Sequence, residues 1–184
     1  VFLYPSVKPK SAIKDESFDV VIAHGVLSHT FNPIEALSKV VSKVKPGGII
    51  MVGLYNDYAR FPVWLYSKVI NFVANRTNFW IKSNKFDYYT AGNWFKYQDQ
   101  NPHTTWHSIN DALDWFVKND VEYRNCIPEI LSSSKVSVVS LFEGTNPPSF
   151  YQRVLTQLAW LGNIRHKGVI FNIVGRKRDY SHTK

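Results

Sequence analysis

The stretch Phe18-Asp19-Val20-Val21-Ile22-Ala23-His24-Gly25-Val26-Leu27-Ser28-His29-Thr30 decides how the rest of the chain is read. Val20 to Ala23 is a short apolar run, mostly β-branched and without polar alternation. That pattern predicts a strand buried on both faces of a parallel sheet. The run breaks at His24-Gly25, and Ser28 and His29 follow closely. Open α/β sheets bind ligands in the crevice beyond the carboxyl ends of their strands. The tip of this strand is therefore the first candidate site.

Outward from it, the next residues predict a strand-helix-strand unit. Asn32 suits a helix N-cap, Pro33 the first helical position, and Glu35 the acid of a capping box. Ile34, Leu37, Val40, Val41 and Val44 recur at helical spacing and form one apolar stripe. Lys39, Lys43 and Lys45 crowd the far end, where cations favour the helix dipole. Pro46-Gly47-Gly48 is expected to stop the helix. Ile49 to Val52 then predicts a second buried strand ending at Gly53, with Tyr55-Asn56 at the same sheet edge as His24. A crossover of this length makes the two strands parallel and the connection right-handed. The fold class is α/β.

These motifs, in this order, resemble a known family. Phe18-Asp19-Val20-Val21, Val26-Leu27-Ser28-His29, Pro33, Val44-Lys45-Pro46-Gly47-Gly48 and Gly53-Leu54-Tyr55-Asn56 are similar to the second half of the class I S-adenosylmethionine-dependent methyltransferase domain. The ubiquinone and menaquinone type, which acts on small molecules, is the most similar. Trp94, Gln98, Pro102, His107, Trp115-Phe116 and Gly175-Arg176-Lys177 extend the resemblance to one subgroup. The resemblance covers most of residues 16–178 and is strong over 16–56. It implies a partial Rossmann-like sheet with a helical, aromatic-rich insertion. One partial domain then fills the chain: a β-α-β core over 1–56, an insertion or lid over 57–107, the rest of the sheet over 108–178 and a tail over 179–184.

The resemblance also implies that a first strand and its Gly-rich cofactor turn precede these residues in the family domain. No Gly-x-Gly occurs in the chain. Two explanations stay open: a piece of a longer methyltransferase, or a reduced domain that has lost cofactor binding. Without that first strand, the strand Val20–Ala23 would leave an unpaired apolar edge, an aggregation hazard. Val1 to Tyr4 reads as a strand end, and residues 5–17 as a loop. Pro5-Ser6 occupies the place where the family often carries an Asp or Asn against the cofactor adenine.

Composition sets the outer bounds. The 184 residues suffice for one domain, and 45% are hydrophobic, as in globular proteins. The single cysteine, Cys126, excludes an internal disulfide and fits a reducing, cytoplasmic setting. Its expected role is packing. The net charge of +8 points to nucleic acid, an anionic membrane surface or an anionic substrate, but the cations are scattered. Arg176-Lys177-Arg178 forms the one dense run and reads as a solvated tail. No secretory signal or bilayer-length apolar span is evident.

In the insertion, Val63, Tyr66, Val69, Ile70 and Val73 predict a helix near 62–75. The aromatic stretch that follows reads as a lid over the substrate, as plain packing, or as a stacking surface for single-stranded nucleic acid with Lys82, Lys85 and Lys96 interleaved. Ser108 and Asp111 cap a helix whose expected buried face is Ile109, Ala112, Leu113, Phe116 and Val117. Val121 to Ile127 predicts a strand. Residues 128–148 read as a loop interrupted by an apolar Val136–Phe142 segment. A helix near 149–161 is expected to bury Val154, Leu155, Leu158 and Leu161, and Val169 to Val174 predicts a last strand. The resemblance makes the last two strands an antiparallel pair at one edge.

Methyl transfer from a sulfonium is a direct displacement, so the protein's main task is alignment, with a base where the acceptor loses a proton. The resemblance places Ala23, His24, Gly25 and Leu27 against the cofactor, S-adenosylmethionine. It makes His29 the base candidate, with a role as a helix-entry hydrogen-bonder as the alternative. Tyr55, Asn56, Gln98 and His107 are the substrate candidates, although Asn56 also suits a turn cap. No metal-ligand spacing is evident. The expected function is methyl transfer to a small-molecule acceptor. A non-catalytic scaffold and a nucleic-acid methyltransferase remain as alternatives.

Overall fold

The computed structural model describes residues 13–62, 65, 104–131, 141, 145–161 and 170–180. Gln98, the strand end at 1–4, the lysine-aromatic stretch of the insertion and nearly all of the 136–142 segment lie outside the described residues.

Seven elements order the described chain: β1 (Phe18–His24), α1 (Pro33–Lys43), β2 (Val44–Tyr55), α2 (Ile109–Lys118), β3 (Val121–Ile127), α3 (Phe150–Leu161) and β4 (Ile170–Lys177). A single 3-10 turn, Leu27–His29, links β1 to α1. The four strands form one mixed sheet in the order β1-β2-β4-β3. β1 and β2 are parallel, and β4 runs antiparallel to both β2 and β3. This is an α/β fold with the antiparallel pair at one edge.

Local chemistry explains α1. Asn32 Oδ1 accepts from Glu35 N at 3.2 Å, and Pro33 follows the cap, where a missing N–H costs nothing. The Glu35 carboxylate pairs with Lys39 one turn on. Leu37 and Val41 are buried, while Ile34 is exposed. Val44 is buried but already belongs to β2. Pro46-Gly47-Gly48 therefore lies inside β2, where the register with β1 shifts between Phe18 and Val20. The helix has ended before it, at Lys43.

The expectation that β1 is buried on both faces is corrected. Val20 and Ile22 are 57% and 63% exposed, and Phe18 is exposed with them. These three share one face, because side chains alternate along a strand. On the other face Ala23 joins Leu37 and Val41 in the core, with Val21 packed against it. Among the described residues β1 pairs with β2 alone, and it forms one edge of the sheet.

α2 has the full capping box: Ser108 Oγ accepts from Asp111 N, and an Asp111 carboxylate oxygen accepts from Ser108 N. Its buried face is Ile109, Ala112, Leu113, Trp115 and Phe116. Val117, expected inside, is 76% exposed; Trp115 takes the place because its ring packs edge-on against His107 at 4.6 Å. The helix lies hard on β4 at Gly175. A Cβ there would stand 2.6 Å from Phe116 Cε2 and 2.4 Å from Val121 Cγ1.

α3 is turned differently from its apolar pattern. Thr156, Gln157 and Trp160 are buried, whereas Leu155 and Leu158 are exposed. Gln157 Oε1 accepts from Ile109 N at 2.9 Å and from Asn56 Nδ2 at 3.3 Å. Thr156 Oγ1 accepts from Leu131 N at 3.0 Å. Inward polar groups satisfy buried donors, and the leucines face outward as a result.

The expected solvated tail is also corrected. Arg176 and Lys177 belong to β4. Arg176 Nε donates to Gly47 O at 2.8 Å, and Lys177 Nζ donates to Val44 O at 2.9 Å. Cys126 is fully buried, and burial pushes its thiol up to about 12, as its packing role requires.

Candidate active site at the strand tips

Parallel pairing sets the site. His24 stands opposite Gly53, and Gly25 N donates to Gly53 O at 3.0 Å, which ties the tips of β1 and β2. Gly25 has φ +66°, and an added Cβ would meet no atom of the described residues within 4 Å. The bend that this glycine permits opens space in front of the strand tip. Ala23, in contrast, is buried, and Leu27 is packed beneath the turn.

His29 ends the 3-10 turn. Its ring meets Tyr55 edge-on at 5.5 Å, with Nε2 3.4 Å from the Tyr55 hydroxyl and Nδ1 3.5 Å from Thr104 Oγ1. Burial, and secondly the nearby Arg60 guanidinium, hold the imidazole below its usual pKa. It is thus neutral at pH 7 and able to accept a proton.

A short strap, residues 104–107, runs along these tips. Thr105 N donates to Ser28 O at 2.8 Å and His107 N to Tyr55 O at 2.8 Å, with Asn56 and His107 forming a parallel bridge. The His107 ring contacts Thr105 Oγ1 through Nε2 at 2.8 Å, and burial lowers its pKa too. Asn56 is fully buried. Its Oδ1 accepts from Ala59 N at 2.9 Å and its Nδ2 donates to Gln157, so it caps the helical residues 57–62. Those bonds give Asn56 the turn-capping role that its sequence position also suits.

The structure thus gathers Ala23, His24, Gly25, Leu27, His29, Tyr55 and, through the strap, His107 at one end of the sheet. Ser28 is one of the polar groups that the sequence already places at this tip, whereas Arg60, Thr105 and Asn172 were missed. Ser28 is fully buried, and its Oγ accepts from Tyr55 N at 3.4 Å. Arg60 is buried with its guanidinium 4.8 Å from the Tyr55 ring centre and 5.0 Å from that of Trp106. Thr105 anchors the strap, and Asn172 reaches His24 across the sheet at 2.6 Å. Arg60 carried a signal, a cation between the apolar Ala59 and Phe61; Asn172 carried none, since its partner lies far away in sequence.

The segment that builds these tips matches a known family model. It is the model of a methyltransferase domain, matched by residues 8–52. The tRNA U34 carboxymethyltransferase of Desulfotalea psychrophila is 42% identical over 59 residues, which cover 29% of this chain and 18% of that protein. Among solved structures, a chain from the Haloferax volcanii complex of the Trm112 methyltransferase activator with a methyltransferase aligns over 91% of this chain and 57% of its own length, at 14% identity and a TM-score of 0.49. A SAM-dependent methyltransferase from Thermotoga maritima aligns over 91% and 59%, at 17% identity and a TM-score of 0.46. The chain spans less than two thirds of each of these proteins.

Proposed function

We propose that these residues form the acceptor-side half of an S-adenosylmethionine-dependent methyltransferase that acts on a small molecule. The match of residues 8–52 to a methyltransferase domain carries the reading. One observation supports that placement of the cofactor: a Cβ added at Gly25, next to the exposed His24 ring, would meet no atom of the described residues within 4 Å. Ala23, His24, Gly25 and Leu27 would hold the cofactor, which when bound supplies an electrophilic methyl group. His29, neutral and beside the Tyr55 hydroxyl, takes the proton that an acceptor O–H or N–H releases. Tyr55 and the 104–107 strap orient the acceptor.

The test is calorimetric titration of S-adenosylmethionine into the natural polypeptide that carries these residues, with the 184-residue chain alongside. Binding is expected in the former and at most weak binding in the latter. No binding by either overturns the reading.

A second reading has its own support. The relative from Desulfotalea psychrophila is named for tRNA, and this chain carries a net charge of +8. An RNA acceptor would show as binding that weakens steeply with salt.

A further inference from the structure

His24, Gly53 and Asn172 stand in one register row across β1, β2 and β4. Residues in register share a face of the sheet. With no side chain at Gly53, the outer two meet above it, and His24 Nδ1 lies 2.6 Å from Asn172 Oδ1. A Cβ on Gly53 would come within 2.6 Å of that Nδ1 and 2.7 Å of that Oδ1. The glycine is therefore what allows the pair to form.

A side-chain amide oxygen only accepts, so the neutral His24 ring carries its proton on Nδ1. The other nitrogen, Nε2, then keeps its lone pair. The ring is exposed, at the same strand tip as the open Gly25 bend. We propose that Asn172 is a positioning residue that fixes His24 in the Nδ1–H tautomer, so that Nε2 offers a hydrogen-bond acceptor to an N–H or O–H donor of a molecule bound at the tips of β1, β2 and β4. The ligand half rests on the methyl-transfer reading. S-adenosylmethionine carries an α-ammonium group, and that is a donor of the required kind.

The tautomer is read directly in the 184-residue protein, labelled with ¹⁵N-histidine, by long-range ¹H–¹⁵N correlation near pH 8. The expected His24 pattern has Nδ1 protonated and Nε2 unprotonated. Asn172→Ala is expected to give a mixture containing the Nε2–H form. Asn172→Asp, which is isosteric and guards against a folding failure of the alanine variant, keeps the Nδ1–H tautomer, because a carboxylate oxygen likewise only accepts. A wild-type Nε2–H pattern, or an unchanged pattern in Asn172→Ala, overturns the proposal. Titration of the equally labelled natural polypeptide that carries these residues with millimolar S-adenosylmethionine is expected to move the His24 Nε2 resonance together with the Gly25 and Gly53 amides. If the amides move and Nε2 does not, the ligand half fails. If none of them moves, the methyl-donor reading falls and takes the ligand half with it, while the tautomer result is decided by the apo spectra.

Discussion

Two histidines in this fold are kept neutral by burial, and that has a consequence in solution. His29 and His107 both have pKa values lowered chiefly by desolvation; Arg60 adds to the effect at His29 and Asp111 opposes it at His107. The unfolded chain, with histidines near the ordinary value of about 6.5, binds more protons than the folded one. Stability therefore rises with pH across this range. It is complete above about pH 7 and is lost as pH falls through the unfolded value toward the lowered folded ones. Thermal melts at pH 7.5 and 5.5 are expected to show a lower midpoint at 5.5, with a smaller difference in His107→Gln. An equal or higher midpoint at pH 5.5 would contradict the assignment. The same neutral state lets His29 act as a base under the methyl-transfer reading. His29→Gln in the natural polypeptide is expected to lower turnover by about 10²-fold or more while leaving S-adenosylmethionine affinity nearly unchanged. Loss of affinity in proportion to turnover would make His29 a binding residue.

Elements in this molecule were legible where the information is local. The Asn32 and Ser108 caps, the apolar run of β1 and the strand Val121–Ile127 each declare themselves within a few residues. Which face of a helix turns inward is decided by neighbours, and there the pattern misled. In α3 the leucines at 155 and 158 suggest an inward face, yet Gln157 is the buried residue, because Ile109 N and Asn56 Nδ2 both need its oxygen. Asn56 and Ile109 are remote from Gln157 in sequence, so no window of α3 alone could report it. The site was legible to the same extent: His24, Gly25 and His29 lie on the quoted stretch, whereas Asn172 and Thr105 arrive through sheet pairing and the strap. The contrast can be measured. Gln157→Leu strands two buried donors and is expected to cost about 1–3 kcal/mol. Leu158→Ala, on the exposed side, should stay within about 0.5 kcal/mol. Chemical denaturation of both variants decides it, and a larger loss in Leu158→Ala would mean that α3 is rotated from the orientation described.

For the molecule as a whole, the balance of the sheet is uneven. Its β3 edge is lined by the chain near Thr145, whose hydroxyl donates to Arg124 O at 2.7 Å, and one face of β1 carries α1. The other face of β1 presents Phe18, Val20 and Ile22 to solvent beside an edge that pairs with β2 alone among the described residues. An exposed apolar strand at an open edge offers unpaired backbone groups together with a sticky surface, the combination that templates association of chains. Charge on that face should block it at little cost, since the side chains replaced are more than half exposed and leave no cavity. Val20→Lys and Ile22→Lys, separately and together, are therefore expected to reduce concentration-dependent association of the 184-residue chain in sedimentation velocity, while the unfolding free energy of each single variant moves by no more than about 0.5 kcal/mol. If the lysines leave association unchanged, the sticky surface lies elsewhere. If they unfold the protein, the face is covered in solution, and a packed neighbour over β1 must be sought in the chain itself.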